Sequence, residues 1–419
     1  DFSPYLQVMS LAIFFQVIYS VAVSSFISLD RSEYSALTTA IDAVVKTSFT
    51  IGLILMGFSV EGALMGTIIG YAVAGVSGVV LLRIVLPKAK SSAGVVGVRG
   101  NVKSLMQFGA PLYVVWLLIG IVPLFQNLIL ANFTTDVNVG NFKAASNFAV
   151  LMTVLSIPIT NAMLSAFSRF DSVHEQGVKL FFRRANKYTA LIVFPVTTIF
   201  IIFSNEIVRL VYGSTYEYAA LFLAAYCLVY FLAGFGYLNL ASFFNGLGKT
   251  RTTLEIGLIT FVIIAVLSPI FTQLYGVLGL IGVFVVANAI GTSYGAYIAK
   301  KKFSATFDVG SISKLFVISL ICAIPAVLVR NVGLAAHFSL AIGGLIYLVL
   351  YLTLVPAVRT VTESELTMLN GTMQKIGLLR IIGKVLIGYQ RKILSLTFDS
   401  KRKKQSSPVI EKQNSNLQK

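Results

Sequence analysis

Apolar residues run in long, nearly unbroken stretches from residue 5 to residue 357, separated by short polar connections. A bilayer core about 30 Å thick is crossed by roughly 20 residues at 1.5 Å of rise each, and the stretches have that length. Eleven spans follow from the pattern, at 5–29, 37–58, 62–86, 109–131, 141–165, 187–205, 217–246, 253–273, 276–299, 312–331 and 337–357. None alternates apolar and polar at every second residue, so an outer-membrane barrel is excluded. The pattern predicts an all-α polytopic membrane protein.

Composition sharpens this reading. Of 419 residues, 57% are hydrophobic and 12% charged, far from the half and quarter of ordinary soluble domains. The net charge of +17 would suit nucleic acid, but in so apolar a chain it serves as an orientation signal and no nucleic-acid partner is expected. Connections after the odd-numbered spans hold seventeen Lys and Arg, including Arg83, Lys88, Arg183, Arg184, Lys249 and Lys300, against three (Lys143, Arg209, Arg330) for the others. The basic side is cytoplasmic by the positive-inside rule, and the C-terminal tail with it. An odd number of spans then places Asp1 outside, so the sequence reads as the continuation of a longer chain. Two Cys and two His are too few for a disulfide framework or a metal centre, and no cofactor or metal is expected.

A repeat is visible. Leu29-Asp30-Arg31-Ser32 leads into a span, a turn with Gly62 and a span ending at Arg83; Leu247-Gly248-Lys249-Thr250 leads into a span, a turn with Gly279 and a span ending at Lys300. Spans one to three thus match spans seven to nine. A period of six helices is even, so the copies share orientation about an axis along the membrane normal.

Four motifs carry a family resemblance. Phe108-Gly109-Ala110-Pro111 opens a span, and Val139-Gly140-Asn141-Phe142-Lys143-Ala144-Ala145 is similar to a Val-Gly-x-Tyr-x-x-Ala outer turn. Tyr212-Gly213-Ser214-Thr215-Tyr216-Glu217-Tyr218-Ala219 is similar to a Phe-Gly-x-x-Tyr-x-x-Ala element, and Asn245-Gly246-Leu247-Gly248-Lys249-Thr250 to a Gly-x-Gly-Lys turn. With these the chain resembles the polysaccharide flippases of the multidrug, oligosaccharidyl-lipid and polysaccharide exporter superfamily, which also holds lipid II flippases and multidrug extruders. The resemblance implies fourteen helices in two six-helix bundles plus a terminal pair, of which helices four to fourteen would lie in this sequence. The divisions would be 1–86 for half of an N-terminal bundle, 87–108 for a cytoplasmic linker, 109–299 for a C-terminal bundle and 312–357 for the terminal pair. It implies a cytoplasmic-membrane carrier of lipid-linked oligosaccharide working by alternating access, with glycosyltransferases of the same pathway as partners. Two departures stand out: Phe142 replaces a usual Tyr, and Gln126-Asn127 stand where many members carry an acidic residue.

Ionisable side chains inside spans are costly unless they face protein or water, so they lead the site candidates. Asp42 and Lys46, four apart on one helix face, read either as a structural ion pair or as a site where Lys46 meets an anionic headgroup. Lys143, in a stretch with Asn138, Asn141 and Asn147, reads either as part of a sugar-binding amide face or as a cation snorkelling to outer headgroups. Gln126, Asn127 and Asn288 read as ligand contacts or interhelical hydrogen bonds, and Pro123 as a gate or a static kink.

Enzyme classes fit poorly, because external connections are short and none has paired carboxylates; no catalytic residue is assigned. The rivals are a cation-coupled drug extruder of the same superfamily and a non-transporting scaffold or scramblase. Amides and Lys in a cavity favour the flippase, a buried carboxylate in an apolar cavity the extruder, and a sealed bundle the scaffold. Residues 358–400 read as an amphipathic cytoplasmic segment attracted to anionic lipid headgroups, and 401–419 as a disordered basic tail.

Overall fold

The computed structural model describes residues 3–29, 31–85, 98–168, 175–333, 335–358, 360–361, 363 and 388–394. Among them there are helices and no strands: α1 Ser3–Ser28, α2 Ser32–Leu53, α3 Ser59–Val85, α4 Val98–Phe133, α5 Asp136–Phe167, α6 Glu175–Ile202, α7 Ser204–Tyr212, α8 Ala219–Cys227, α9 Leu240–Gly246, α10 Thr250–Phe303, α11 Val309–Arg330 and α12 Ala336–Ala357. Seven helical stretches among the described residues are long and apolar enough to cross a membrane. Two of these, Ser32–Val85 and Thr250–Phe303, are 54 residues long. Straight helices of that length would measure roughly 80 Å, far beyond the bilayer core. Each is therefore a folded-back pair.

The glycines show how. A Cβ added at Gly62 would meet Leu53, at Gly66 Thr50, at Gly70 Lys46, and at Gly78 Thr38, so α3 runs antiparallel along α2 with backbones nearly touching. A π turn at Ile54–Phe58 joins them, with Gly57 at φ 95°. In α10 the same logic pairs Gly279 with Phe271, Gly291 with Thr260 and Gly295 with Ile256. Its two legs meet at Gly276, whose φ of 59° and ψ of −143° only a residue without Cβ adopts at low cost. Gly62 and Gly279, expected in the turns of the repeat, lie a few residues beyond them and close their hairpins alike, with close approach in place of large side chains.

The chain divides into two compact units, Asp1–Leu105 and Met106–Lys419. In the first, Phe26 and Ala22 pack under Tyr34 and Gly78. In the second, a large core gathers Leu130, Ala145, Phe194, Leu223, Leu315 and Tyr347, and a smaller one stacks Phe167 and Phe182 edge-on or tilted against Phe243, with centroids 4.9 and 4.6 Å away. Elsewhere large apolar side chains face outward, as at Leu124 and Trp116, which suits a lipid surround.

Several expectations need correction. The span 217–246 is broken: α8 passes into a 3-10 turn at Leu228–Phe235, and Gly236 at φ 99° turns the chain into α9. Asn239 stands in that break, and its amide donates to Asn186 Oδ1 (3.0 Å) and Thr189 Oγ1 (2.8 Å) on α6. Helix six starts at Glu175, so Arg183, Arg184 and Lys187 lie on a helix and Lys187 is buried. Helix four extends back to Val98, into the expected 87–108 linker. The short α7 was not anticipated, and its Glu206 pairs with Arg330 at the end of α11 at 3.1 Å. The terminal pair is also tied in by hydroxyls, since Ser319 Oγ lies 2.6 Å from both Thr198 Oγ1 and Tyr347 OH. Of the amphipathic segment 358–400, residues 388–394 are helical with Gln390 and Leu394 buried, and Tyr389 OH lies 2.8 Å from Thr353 Oγ1 on α12. That stretch docks on protein as well as presenting charge. Residues 364–387 and the tail 401–419 lie outside the described residues.

Asp308 caps α11, accepting from Ser311 N at 3.2 Å, and pairs with Arg183 at 3.1 Å. Burial opposes its ionisation, but hydrogen bonds from Arg183 and Ser311 outweigh that and hold the carboxyl below its ordinary 3.8. A carboxyl lowered by folding contributes stability that is complete above the unfolded value and disappears as pH falls through the folded one. The thermal stability gap between wild type and Asp308→Asn should therefore be constant near neutrality and close as pH drops below 3.8. Melting in detergent across that range measures it.

Candidate functional site

In the first unit, Asp42 is 6% exposed on α2. Its Oδ2 accepts from Lys46 Nζ at 3.1 Å, while Oδ1 is buried without a hydrogen-bond partner. Gly70 on α3 makes the room, since a Cβ there would sit 2.7 Å from Lys46 Cβ and 3.1 Å from Asp42 Oδ1. The Lys46 ammonium lies 5.1 Å from the Tyr71 ring centre, a cation-π distance, and the side chain keeps 35% exposure. An ammonium has three donors, and Asp42 takes one. The arrangement holds a positive charge steady while leaving part of it open.

In the second unit, α4, α8, the break before α9, α9 itself and both legs of α10 line a cavity of about 360 Å³. Gln126 and Pro123 of α4 and Asn288 of α10 line it. The helix break brings in Tyr237, and α8 brings Tyr226. Thr253, Thr260 and Thr292 complete the polar lining, and no charged residue is part of it among the described residues. Tyr226 and Phe284 stack, centroids 4.8 Å apart and 24° between planes.

The other candidates are placed elsewhere. Lys143 and Asn147 are exposed on α5, one turn apart. Asn141 is buried and separated from them: its Oδ1 accepts from Tyr218 N (3.0 Å) and Ala219 N (2.9 Å), so it caps the start of α8. Asn127 follows Gln126 but does not line the cavity. α4 continues through Pro111 and Pro123 as one helix. Sequence reasoning missed Tyr226, Tyr237, Thr260, Thr292 and the Phe284 platform. Part of this was legible: Thr253, Gly257 and Thr260 form a small polar stripe at helical spacing, and Asn288 and Thr292 lie one turn apart. The tyrosines were not, because only the break at Gly236 turns them toward one space.

Comparison with known proteins follows the same lines. The family profile described as Polysaccharide biosynthesis protein matches residues 1–221, and that described as Lipid II flippase MurJ matches residues 118–354. Each covers more than half of the chain. A solved structure of lipid II flippase MurJ in an inward closed conformation superposes with a TM-score of 0.61 and 18% identity, over 84% of this chain and 74% of that one. A crystal structure of a MATE protein in the straight conformation also gives 0.61, at 19% identity, over 72% and 69%. At such identities the likeness is one of fold. No curated protein matches by sequence.

Proposed function

We propose, from the premise that this chain belongs to the polysaccharide biosynthesis protein family and is a membrane flippase of the multidrug/oligosaccharidyl-lipid/polysaccharide exporter superfamily, that its cargo is a lipid-linked oligosaccharide, moved from the cytoplasmic to the outer leaflet by alternating access. The observation that carries this reading is Lys46. A Lys within an apolar helix costs several kcal/mol unless it is paired or faces water or a ligand. Here it is held by a buried Asp42 and an aromatic face, yet part of it remains open. A lipid-linked saccharide carries a phosphate or diphosphate between lipid and sugar, and an ammonium is a suitable point charge for it. The charge-free cavity of the second unit favours the same class over a cationic drug, for which its lining offers no carboxylate. The step needs movement alone, with no bond made or broken.

The test is reconstitution. Proteoliposomes holding the full chain and a fluorescent polyprenyl-diphosphate oligosaccharide should expose the sugar to an external lectin well before protein-free vesicles do. No acceleration, together with export of a lipophilic cationic dye, would establish the extruder instead.

A further inference from the structure

We infer that the cavity of the second unit is a subsite for one neutral sugar ring of the transported headgroup. This rests on the reading of the chain as a carrier of lipid-linked saccharides and adds to it which part of the cargo is read, and by what. At about 360 Å³ the space lies at the small end of ligand pockets, which run from about 300 to 1,000 Å³.

Thr253 gives its hydroxyl hydrogen to Asn245 Oδ1 at 2.7 Å, but most of the other polar groups of the lining are unspent among the described residues. Gln126 is 5% exposed, lines the cavity and makes no hydrogen bond among the described residues. Its amide is not among the sealed, unpaired side-chain groups and so opens onto the space, where a ligand or water can reach it. The hydroxyls of Tyr226, Tyr237 and Thr292 are likewise unpaired among the described residues. Asn288 gives one amide hydrogen to the Phe284 carbonyl at 2.8 Å and keeps its carbonyl oxygen free. Donors and acceptors thus face one space, and apart from Thr253 and one Asn288 hydrogen no described protein group meets them. Sugar hydroxyls act as both donor and acceptor and would satisfy the whole set.

Four rival occupants fit worse. A phosphate or a cationic group would enter without a counter-charge from the described residues, none of which brings a charge to the lining. An acyl chain would leave the amides and phenols unpaired. Water would meet the polar groups but has no use for the aromatic part of the lining, Tyr226 and Phe284, which offers apolar surface to the C–H groups of a pyranose.

The experiment uses the full chain in lipid nanodiscs and four probes: polyprenyl diphosphates bearing glucose, galactose or N-acetylglucosamine, and the sugarless polyprenyl diphosphate. The dissociation constant of the sugarless lipid divided by that of the best glycosylated one should be at least about ten in wild type, the scale of one or two satisfied hydrogen bonds. Gln126→Leu and Asn288→Leu, similar in size and compatible with the apolar part of the wall, should each lower that ratio several-fold, and the two together with Tyr226→Ala should bring it near one. Melting curves check that each variant is folded. A ratio of one in wild type, or a ratio the variants leave unchanged, overturns the subsite and leaves a water-filled cavity, with the flippase reading intact. Failure of all four lipids to bind removes both.

Discussion

Replacement of Lys46 by alanine is expected to lower translocation of a lipid-linked oligosaccharide at least tenfold, and to destabilise the first unit as well. Two effects combine. Only Asp42 of this pair is buried, so removing Lys46 leaves a buried carboxylate uncompensated, at a cost below the figure of about 3–5 kcal/mol for a fully buried pair because Lys46 is partly open to water. Asp42 already has one oxygen without a hydrogen bond, so it has nothing to fall back on. The second effect is loss of the cation offered to the phosphate. Variants separate them. Lys46→Arg keeps the charge and should retain part of the transport, although its flat guanidinium must fit beside Tyr71. Asp42→Asn with Lys46→Met removes both charges, so stability should recover while transport does not. The measurement is lectin accessibility of the sugar in proteoliposomes, with melting temperature alongside. If the double variant is stable and transports normally, the pair is structural and the site is elsewhere.

Gly66→Leu should have an effect of comparable size on folding. A Cβ at that position would lie 2.6 Å from the Thr50 backbone nitrogen and 2.8 Å from its Cα. Those atoms belong to α2 itself and cannot swing aside, so α2 and α3 must separate. Close backbone approach is the main attraction between such helices in lipid, where apolar burial drives little association, and separation removes it. The expected result is loss of monodisperse protein on size-exclusion chromatography in mild detergent. Gly52→Leu is the control, since a Cβ there meets nothing within 4 Å. Equal behaviour of the two variants would show that the hairpin tolerates separation.

The helices, their apolar character and the two hairpins were legible in the chain, because span length and hydropathy are local properties. Asp42 and Lys46 were recognisable as a pair from their spacing, whereas the turns fall a few residues earlier than expected, at Gly57 and Gly276, with Gly62 and Gly279 inside the legs that follow. The break in the span 217–246 was not. Its apolar run is continuous through Gly236, and a glycine in such a run reads equally as a packing residue.

What the sequence by itself determined is the class of the molecule and the extent of its apolar runs. What only the tertiary structure decided is which polar side chains are satisfied. Asn239, Asn141 and Gln126 look alike in the sequence, each an amide in or near an apolar run. The amide hydrogens of Asn239 are met by Asn186, 53 residues away, and by Thr189, while its Oδ1 is buried without a partner. Asn141 is met by the backbone of α8, 77 residues away. Gln126 is met by no described residue and faces the cavity. A hydrogen bond depends on where two groups stand in space, and for these three amides the partners are set by helices that the local pattern does not connect.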